Sequence, residues 1–275
     1  MRFGLDVAQQ RMPWDELVRR VQLAEELAFD GVWGFDHYQP MYGEGAGETF
    51  EGMTTLAALA GVTSRIRLGL LVTGVTYRHP SVLAAQAVTI DHASHGRLDL
   101  SLGAAWYEKE HLELGIPFPP LAERYALLED ALEITTRLFT GEKVSYEGNV
   151  VSLNDAQLRP VPVQQPRPPI WIGGTGPRRT LPLVARYADV WHGFGSPNSL
   201  REASERVDQL AVEAGRQPSD IARAASLSLD DLDAARKFAG KWRDAGYDYL
   251  VCGWPGEGAA QVERFAREVM PDFVG

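Results

Sequence analysis

The stretch RLGLLVTGVTYRHPSVLAAQAVTIDHASHGRLDLSL, residues 67–102, contains one complete strand–helix–strand repeat. The apolar run at 67–72 predicts a strand, and the next apolar-periodic segment, opened by a proline, predicts a helix over 80–93. Gly96 ends the helical pattern, and residues 97–102 predict a second strand. The first of these strands is almost continuously apolar, which is typical of parallel strands covered on both faces. The repeat therefore indicates an α/β fold.

The same alternation of short apolar runs and longer amphipathic runs extends over the whole chain. Strand starts fall near residues 2, 31, 66, 97, 169, 188, 224 and 248, and a helical pattern follows each of them. Eight such units favour closure into a (β/α)8 TIM barrel over an open doubly wound sheet. The first strand is not followed by a GxGxxG motif, which also argues against a dinucleotide-binding sheet. We therefore expect one barrel domain over residues 1–275.

One long gap interrupts the regular spacing, between the strands that start near residues 97 and 169. It contains a helical pattern over 121–139 and an insertion at about 142–168. The insertion combines a hairpin pattern around Gly148-Asn149 with a proline-rich stretch. We expect this hairpin to lie between the fourth and fifth barrel strands.

The composition argues against several classes of protein. The 275 residues carry 27 Lys and Arg against 37 Asp and Glu, a formal charge of −10, which is unlike the basic surface of a nucleic-acid binder. No apolar run approaches the roughly 18 residues that span a membrane, and the first residues do not resemble a signal peptide. One cysteine, Cys252, allows no internal disulfide, and the histidines form no metal-binding pattern. We expect a cytoplasmic protein that binds no nucleic acid, membrane or metal.

The second predicted strand ends in Phe35-Asp36-His37-Tyr38, at the edge of a barrel where active sites lie. An imidazole there can act as a general acid or base, and the neighbouring carboxyl can orient it or contact a cofactor ring. The alternative is a capping aspartate beside a solvated histidine. The following loop, residues 41–48, contains three glycines and is either a mobile lid or a plain connection.

Two other strand ends carry candidate ligand-binding residues. The fourth strand is followed by Gly103-Ala104-Ala105-Trp106 and Glu108, where small residues either face a flat ligand or allow close helix packing. The fifth ends in Gly173-Gly174-Thr175-Gly176, before Arg178 and Arg179 at a helix start. Free backbone N–H groups there attract anions, and arginines oppose the helix dipole unless an anion binds. The alternative is a glycine-rich turn with solvated arginines.

Three stretches of the sequence resemble the bacterial luciferase-like family of flavin- and deazaflavin-dependent oxidoreductases. They are GVWGFDH at 31–37, DHASHGRL at 91–98 continuing to Leu102-Gly103, and IWIGG at 170–174 continuing to YADVW at 187–191. The resemblance covers residues 1 to about 195 and implies a (β/α)8 barrel with an insertion. It also implies a homodimer that acts on a small-molecule substrate.

The segment Asp36-His37-Tyr38-Gln39-Pro40 is similar to the corresponding segment of F420-dependent glucose-6-phosphate dehydrogenases. That similarity implies coenzyme F420 as the cofactor and His37 as a catalytic residue that moves a proton. Glu108 matches the family's catalytic acid. Around Trp106 the alignment with the family can shift by one or two residues, so a neighbouring position could be the match instead. A tryptophan follows the proline in those enzymes, whereas Met41 stands here, which argues against the same sugar substrate.

The resemblance also implies a set of cofactor-binding residues. The family has a non-prolyl cis peptide on the third strand, and Leu71-Val72 occupy the matching positions. The loop that binds the cofactor's phosphate matches residues 173–176. The full set comprises Asp36, Leu71, Val72, Thr73, Gly103, Ala104, Gly173, Gly174, Thr175, Gly176 and Arg178.

The resemblance therefore predicts a coenzyme F420-dependent oxidoreductase that transfers a hydride between the deazaflavin and a small organic substrate. His37 and Glu108 are the catalytic candidates. An FMN-dependent monooxygenase of the same family is one alternative, because FMN permits oxygen activation whereas a deazaflavin reacts poorly with oxygen. A non-catalytic flavin-binding protein on the same scaffold is another.

Overall fold

The computed structural model describes residues 1–274. Its strands are, in chain order, β1 (Arg2–Asp6), β2 (Gly31–Gly34), β3 (Arg67–Leu70), β4 (Leu98–Leu102), β5 (Val144–Glu147), β6 (Ser152–Ala156), β7 (Ile170–Gly173), β8 (Val190–Gly193), β9 (Ala222–Leu227) and β10 (Tyr249–Gly253). Its helices are α1 (Trp14–Glu26), α2 (Gly52–Ala60), α3 (Pro80–Ala93), α4 (Glu108–Leu114), α5 (Leu121–Leu138), α6 (Thr180–Tyr187), α7 (Arg201–Glu213), α8 (Leu232–Asp244) and α9 (Ala259–Glu268).

Within residues 1–274, eight parallel strands close into a barrel in the order β1-β10-β9-β8-β7-β4-β3-β2. The first and last strands complete the circle, since Leu5 in β1 lies opposite Val32 in β2 and Cys252 in β10. The predicted (β/α)8 barrel is confirmed, and each barrel strand starts within two residues of its predicted position.

Large side chains fill the barrel interior. The Trp33 and Trp171 rings pack with centroids 4.2 Å apart, and Tyr249 packs edge-on against both. The Trp33 indole also donates a hydrogen bond to the Tyr249 hydroxyl at 3.2 Å. Gly69 in β3 leaves room for this packing, since a Cβ there would lie 2.4 Å from the Trp33 ring. The interior is thus a packed core and not a pore.

Buried polar side chains fasten the amino-terminal end of the barrel. Arg97 precedes β4, and its guanidinium donates to the carbonyl oxygens of Ala60 and Thr63, at the end of α2, at 3.0 and 3.1 Å. The Asp91 carboxylate accepts from the backbone and side-chain nitrogens of Gln164, at 3.0 and 2.7 Å. The segment that contains both residues is therefore structural, and it lies at the end of the barrel where the strands begin.

The insertion contains an antiparallel pair of strands, β5 and β6. Their turn rests on the buried Asp130 of α5. The Asp130 carboxylate accepts from the backbone N–H groups of residues 149–151 at 2.6–3.0 Å and from the Tyr146 hydroxyl at 2.9 Å. Burial alone would raise the pKa of this carboxyl, but the hydrogen bonds hold it below its ordinary value. One buried charge thus attaches the hairpin to the barrel's outer layer.

Among residues 1–274, no helix combines the length and the apolar character that crossing a membrane requires. The same residues contain no group of three or more His, Cys, Asp or Glu side chains that could hold a metal ion. Cys252 is buried in β10 with a free thiol.

We expect Asp130→Asn to lower the free energy of unfolding by about 1–3 kcal/mol, because the hairpin donors lose their buried, ionised acceptor. Urea unfolding measures the loss, and hydrogen exchange at the Val150 and Val151 amides locates it in the hairpin. Glu142→Gln changes an exposed acid beside the hairpin and should leave both measurements at wild-type values. Equal effects of the two substitutions would contradict the role assigned to Asp130.

Candidate active site

A cavity of about 580 Å³ opens at the carboxyl ends of β2, β3, β4, β7 and β8. In TIM barrels this is the end at which active sites lie. The residues proposed from the sequence that line it are Asp36, His37, Leu71, Val72, Gly103, Ala104, Gly173, Gly174, Thr175 and Gly176. Aromatic side chains contribute much of the remaining wall, namely Phe35, Tyr42, Tyr77, Trp106, Tyr125 and Phe194.

Three of the proposed site residues lie outside the cavity lining. Thr73 is buried, and its N–H donates to the Ser101 hydroxyl at 3.1 Å. Glu108 is the exposed first residue of α4, and Arg178 is exposed in the turn before α6. Exposure is the favourable state for both charged side chains, because burying a charge without a partner is costly.

An aliphatic surface forms the floor of the cavity. The Leu71–Val72 peptide bond, directly after β3, is cis, as the family resemblance predicts. The Val72 side chain lies between glycines at the ends of two neighbouring strands. A Cβ on Gly103 would lie 2.5 Å from one Val72 methyl, and a Cβ on Gly173 would lie 3.0 Å from the other. Glycine at both positions therefore makes room for the valine side chain.

His37 and Glu110 form the polar centre of the wall. His37 Nδ1 lies 3.1 Å from Glu110 Oε1, and the Glu110 side chain is fully buried. Burial alone would raise the pKa of the Glu110 carboxyl, but hydrogen bonds from His37, Tyr77 and the backbone hold it below its ordinary value. Because an ionised carboxylate can only accept, Nδ1 of His37 donates in this bond. Nε2 is left as the ring nitrogen available to a ligand in the cavity.

Glu110 joins two loops to α4. Its Oε2 accepts from the backbone N–H groups of Tyr38 and Gln39, both at 2.7 Å. Its Oε1 accepts from the Tyr77 hydroxyl at 2.5 Å. Burial and this hydrogen bond raise the pKa of Tyr77, so the phenol keeps its proton and acts as a donor. The loops after β2 and β3 are thereby fastened to the same carboxylate.

The buried acid beside His37 is therefore Glu110, two residues after the predicted Glu108. Side chains two residues apart point to different faces of a helix, which places one carboxyl inside and the other in solvent. The sequence of α4, EKEHLEL, is typical of a solvated helix. Because most of its residues are charged or polar, the sequence does not indicate which carboxyl is buried. The one- or two-residue ambiguity in aligning the segment after Trp106 with the family was the signal that pointed to Glu110 as an alternative.

Tyr77 is a site residue that sequence reasoning missed. Its ring stacks on that of His111, with centroids 4.5 Å apart. His111 is buried and is held by the Thr76 hydroxyl at 2.7 Å and by the Tyr107 carbonyl at 2.8 Å. The signal that could have found Tyr77 is its place in the loop after β3, at the catalytic end of the barrel.

Asp36 is engaged in an ion pair with Arg78. The two side chains form a bidentate contact at 2.6 and 2.9 Å, and Asp36 also accepts from the Gly74 N–H at 2.8 Å. Arg78 reaches Glu51 as well, at 2.6 Å. Both members of the pair are buried, so it fixes the loop after β3 against the end of β2. Asp36 thus lines the cavity with its carboxylate already engaged.

The glycine-rich loop between β7 and α6 is held from both sides. The Gly174 N–H donates to the His192 carbonyl at 3.0 Å, and its own carbonyl accepts from the Trp191 indole at 2.7 Å. Gly174 has a φ of +121°, which side-chain-bearing residues rarely adopt. In the described part of the chain, the N–H groups of Thr175 and Gly176 donate to no backbone oxygen. They lie in the loop that leads, through a turn at residues 177–179, into α6, and free N–H groups in such a loop can bind an anion.

The loop at residues 41–48 is fastened to the loop after β1. Gln10 Oε1 accepts from the N–H groups of Met41 and Tyr42, at 2.6 and 3.2 Å. The Arg11 guanidinium donates to the Tyr42 carbonyl at 2.7 Å and to two further carbonyls of the loop. Met41 and Tyr42 line the cavity, so these bonds position part of its wall.

A model of the family described as luciferase-like monooxygenase matches residues 1–249. The chain belongs to this family. The match spans all the strands whose ends form the cavity, and it confirms the resemblance that the sequence motifs indicated.

Relatives of the chain include dehydrogenases and reductases. An F420-dependent glucose-6-phosphate dehydrogenase of Microbacterium testaceum (strain StLB037) is 35% identical over 225 residues, which are 80% of this chain and 66% of that enzyme's length. The alignment thus spans just under two thirds of that enzyme. A 5,10-methylenetetrahydromethanopterin reductase of Archaeoglobus fulgidus is 33% identical over 244 residues, 87% of this chain and 68% of that protein.

Solved structures share the fold of the chain. An F420-dependent secondary alcohol dehydrogenase, in complex with an F420–acetone adduct, superposes with a TM-score of 0.89 at 18% sequence identity. The superposition covers 100% of this chain and 99% of that chain. At this identity the likeness establishes the shared barrel, and the chemistry has to be argued from the site.

We expect Glu110→Gln to lower the free energy of unfolding by about 1–3 kcal/mol at neutral pH, because an amide cannot replace a charged acceptor of four donors. A carboxyl whose pKa is lowered on folding stabilises the protein above its unfolded-state pKa, and this stabilisation is lost as the pH falls through the folded-state pKa. The difference between wild type and variant should therefore shrink below about pH 4.3.

Urea unfolding at a series of pH values measures this difference. Glu108→Gln is the matched control, since it removes an exposed carboxyl from the same helix. We expect the control to keep wild-type stability at every pH. If Glu108→Gln lost as much unfolding free energy as Glu110→Gln, the effect would come from the net charge of the helix and not from the buried contact with His37.

Proposed function

We propose that the chain is a coenzyme F420-dependent oxidoreductase that transfers a hydride between the deazaflavin and a small organic substrate. The observation that carries this proposal is the His37–Glu110 pair beside an aliphatic cavity floor at the carboxyl ends of the strands. The relative from Microbacterium testaceum and the similarly folded alcohol dehydrogenase, both named as F420-dependent, support the choice of cofactor.

The cavity suits a flat, largely apolar cofactor ring with a phosphate-bearing tail. Val72, flanked by Gly103 and Gly173, presents methyl groups against which a ring can pack. The backbone N–H groups of Thr175 and Gly176 suit a phosphate group. We assign ring contacts to Leu71, Val72, Gly103 and Ala104, and phosphate contacts to Gly173, Gly174, Thr175 and Gly176.

The remaining predicted cofactor residues take supporting roles in this proposal. Asp36 positions the loop after β3 through its pair with Arg78, and Thr73 acts from behind the cavity wall. Arg178 is exposed two residues after Gly176, and we assign it to charged groups of the cofactor that extend outside the cavity.

In the proposed reaction the protein's own residues manage the proton. Coenzyme F420, when bound, supplies the hydride donor or acceptor. Nε2 of His37 gives a proton to the substrate heteroatom or takes one from it, depending on direction. Glu110 holds Nδ1 protonated, fixes the ring orientation and stabilises the imidazolium by its negative charge. The aromatic walls limit the access of water to the reacting atoms.

We further propose that the chain works as a homodimer of single barrel domains in the cytoplasm. The family resemblance supports the dimer. The single free cysteine, buried in β10, fits a reducing compartment.

Replacing the proposed proton-transfer residue should separate catalysis from binding. We expect His37→Ala to reduce turnover about 10²–10⁴-fold, the usual contribution of a general acid or base, while the Kd for coenzyme F420 changes little. The absorbance of the deazaflavin follows turnover, and its fluorescence follows binding. His92→Ala changes a histidine at the end of α3, remote from the cavity, and should retain wild-type turnover. Wild-type rates in His37→Ala would remove His37 from the mechanism.

The choice of cofactor is tested by titrating the purified protein with coenzyme F420 and, separately, with FMN. Quenching of protein fluorescence measures binding in both titrations, and we expect the deazaflavin to bind more tightly than FMN. Tighter binding of FMN together with oxygen consumption would replace the proposal by an FMN-dependent monooxygenase. A third result would indicate a non-catalytic flavin-binding protein. In that case wild type and His37→Ala bind the cofactor equally well, and wild type turns over no alcohol, imine or enone.

A further inference from the structure

Aromatic rings surround the His37 imidazole. The ring centroids of Phe35, Trp106 and Tyr107 lie 5.5, 6.1 and 5.8 Å from that of His37. Trp106 is 67% exposed and Tyr42 is 65% exposed, and both line the cavity. Exposed aromatic surface in a concave site is typical of ligand binding, because the ligand removes that surface from water.

Both exposed rings are carried by backbone that is held in place. The Tyr42 carbonyl accepts from the Arg11 guanidinium at 2.7 Å. Directly before Trp106, Ala105 has a φ of +58°, and its carbonyl accepts from Arg124 at 2.5 Å. The backbone that presents both rings to the cavity is therefore held in place.

The cavity offers no cation to an anionic substrate. Among residues 1–274, no lysine or arginine side chain lines it. Arginines behind the wall are engaged, since Arg78 pairs with Asp36 and Arg124 donates to backbone carbonyls. The buried carboxylate of Glu110 would repel a phosphate placed beside His37. Stripping water from a phosphate there, without a compensating cation, is unfavourable.

We infer that the substrate is an uncharged alcohol or carbonyl compound with an apolar body, which packs against Trp106 and Tyr42 while its oxygen meets Nε2 of His37. This inference rests on the proposed function and adds the substrate class to it. In the oxidising direction, the carbinol carbon gives a hydride to oxidised coenzyme F420 and the hydroxyl gives its proton to His37. The alcohol thereby loses two electrons and becomes a carbonyl, and the deazaflavin gains those electrons.

The first test compares substrates of the protein loaded with coenzyme F420. A panel of cyclic and aryl secondary alcohols, such as cyclohexanol and 1-phenylethanol, is compared with glucose 6-phosphate. We expect kcat/KM for the best neutral alcohol to exceed that for the sugar phosphate by at least about tenfold, the ratio that a modest difference in binding free energy produces.

The second test removes the proposed wall. Trp106→Ala should raise KM for the neutral alcohol about tenfold with a smaller change in kcat, because this contact binds ground state and transition state alike. Phe238→Ala, an exposed aromatic of α8 outside this cavity, is the matched control and should keep wild-type constants. Thermal unfolding of both variants verifies that they fold.

A third readout needs neither cofactor nor turnover. Saturation-transfer NMR with cyclohexanone as the probe reports whether its ring protons contact the protein. We expect transfer in wild type and in Phe238→Ala, and a clear loss in Trp106→Ala.

The outcomes separate the inference from the function on which it rests. Binding of coenzyme F420 combined with a preference for glucose 6-phosphate, or with no turnover of any neutral alcohol, overturns the substrate class and leaves the cofactor proposal standing. Failure to bind coenzyme F420 overturns the proposed function, and the inference with it. Wild-type KM and undiminished saturation transfer in Trp106→Ala overturn the role of that ring.

Discussion

The buried carboxylate of Glu110 is the interaction on which the candidate site depends. A charge in the protein interior is stable only when partners compensate it. Here the partners are His37, the Tyr77 hydroxyl and two backbone N–H groups, from the loops after β2 and β3. The carboxylate itself comes from α4, so one charge holds three segments in fixed relation. The orientation of the His37 imidazole follows from that arrangement, because its Nδ1 is the group that meets the charge.

Two physical devices build the opposite surfaces of the cavity. The floor is apolar because Gly103 and Gly173 have no side chains. The Val72 side chain fills the space that a Cβ on either glycine would need. The polar wall is built in the contrary way, by long side chains that reach a common partner in Glu110. Hydride transfer benefits from both, because it needs a surface that excludes water and a proton-transfer group beside it.

The barrel could be predicted because its signals are local, and Glu110 could not because its burial is a long-range property. Each strand is a short apolar run, so that even the weakly marked β9 falls within two residues of its predicted start. Glu110, by contrast, is buried by residues 33 to 73 positions away in the chain, while its own helix is typical of a solvated one. Arg178 illustrates a related limit: the neighbouring glycines predicted a loop that lines the cavity, but not where a long side chain on the next turn would lie.

The motifs that identify the family predict the barrel better than they predict the substrate. The stretch at 91–98 lies at the end where the strands begin, and its Arg97 fastens the end of α2 there. Three aromatic residues that line the cavity with His37, namely Tyr42, Tyr77 and Trp106, lie outside the three stretches that carry the resemblance. Loop side chains of this kind can change without breaking the bonds that close the barrel. In this chain those loops supply aromatic rings, and within residues 1–274 no lysine or arginine lines the cavity. The specificity of the site therefore has to be inferred from loop residues that the family motifs do not include.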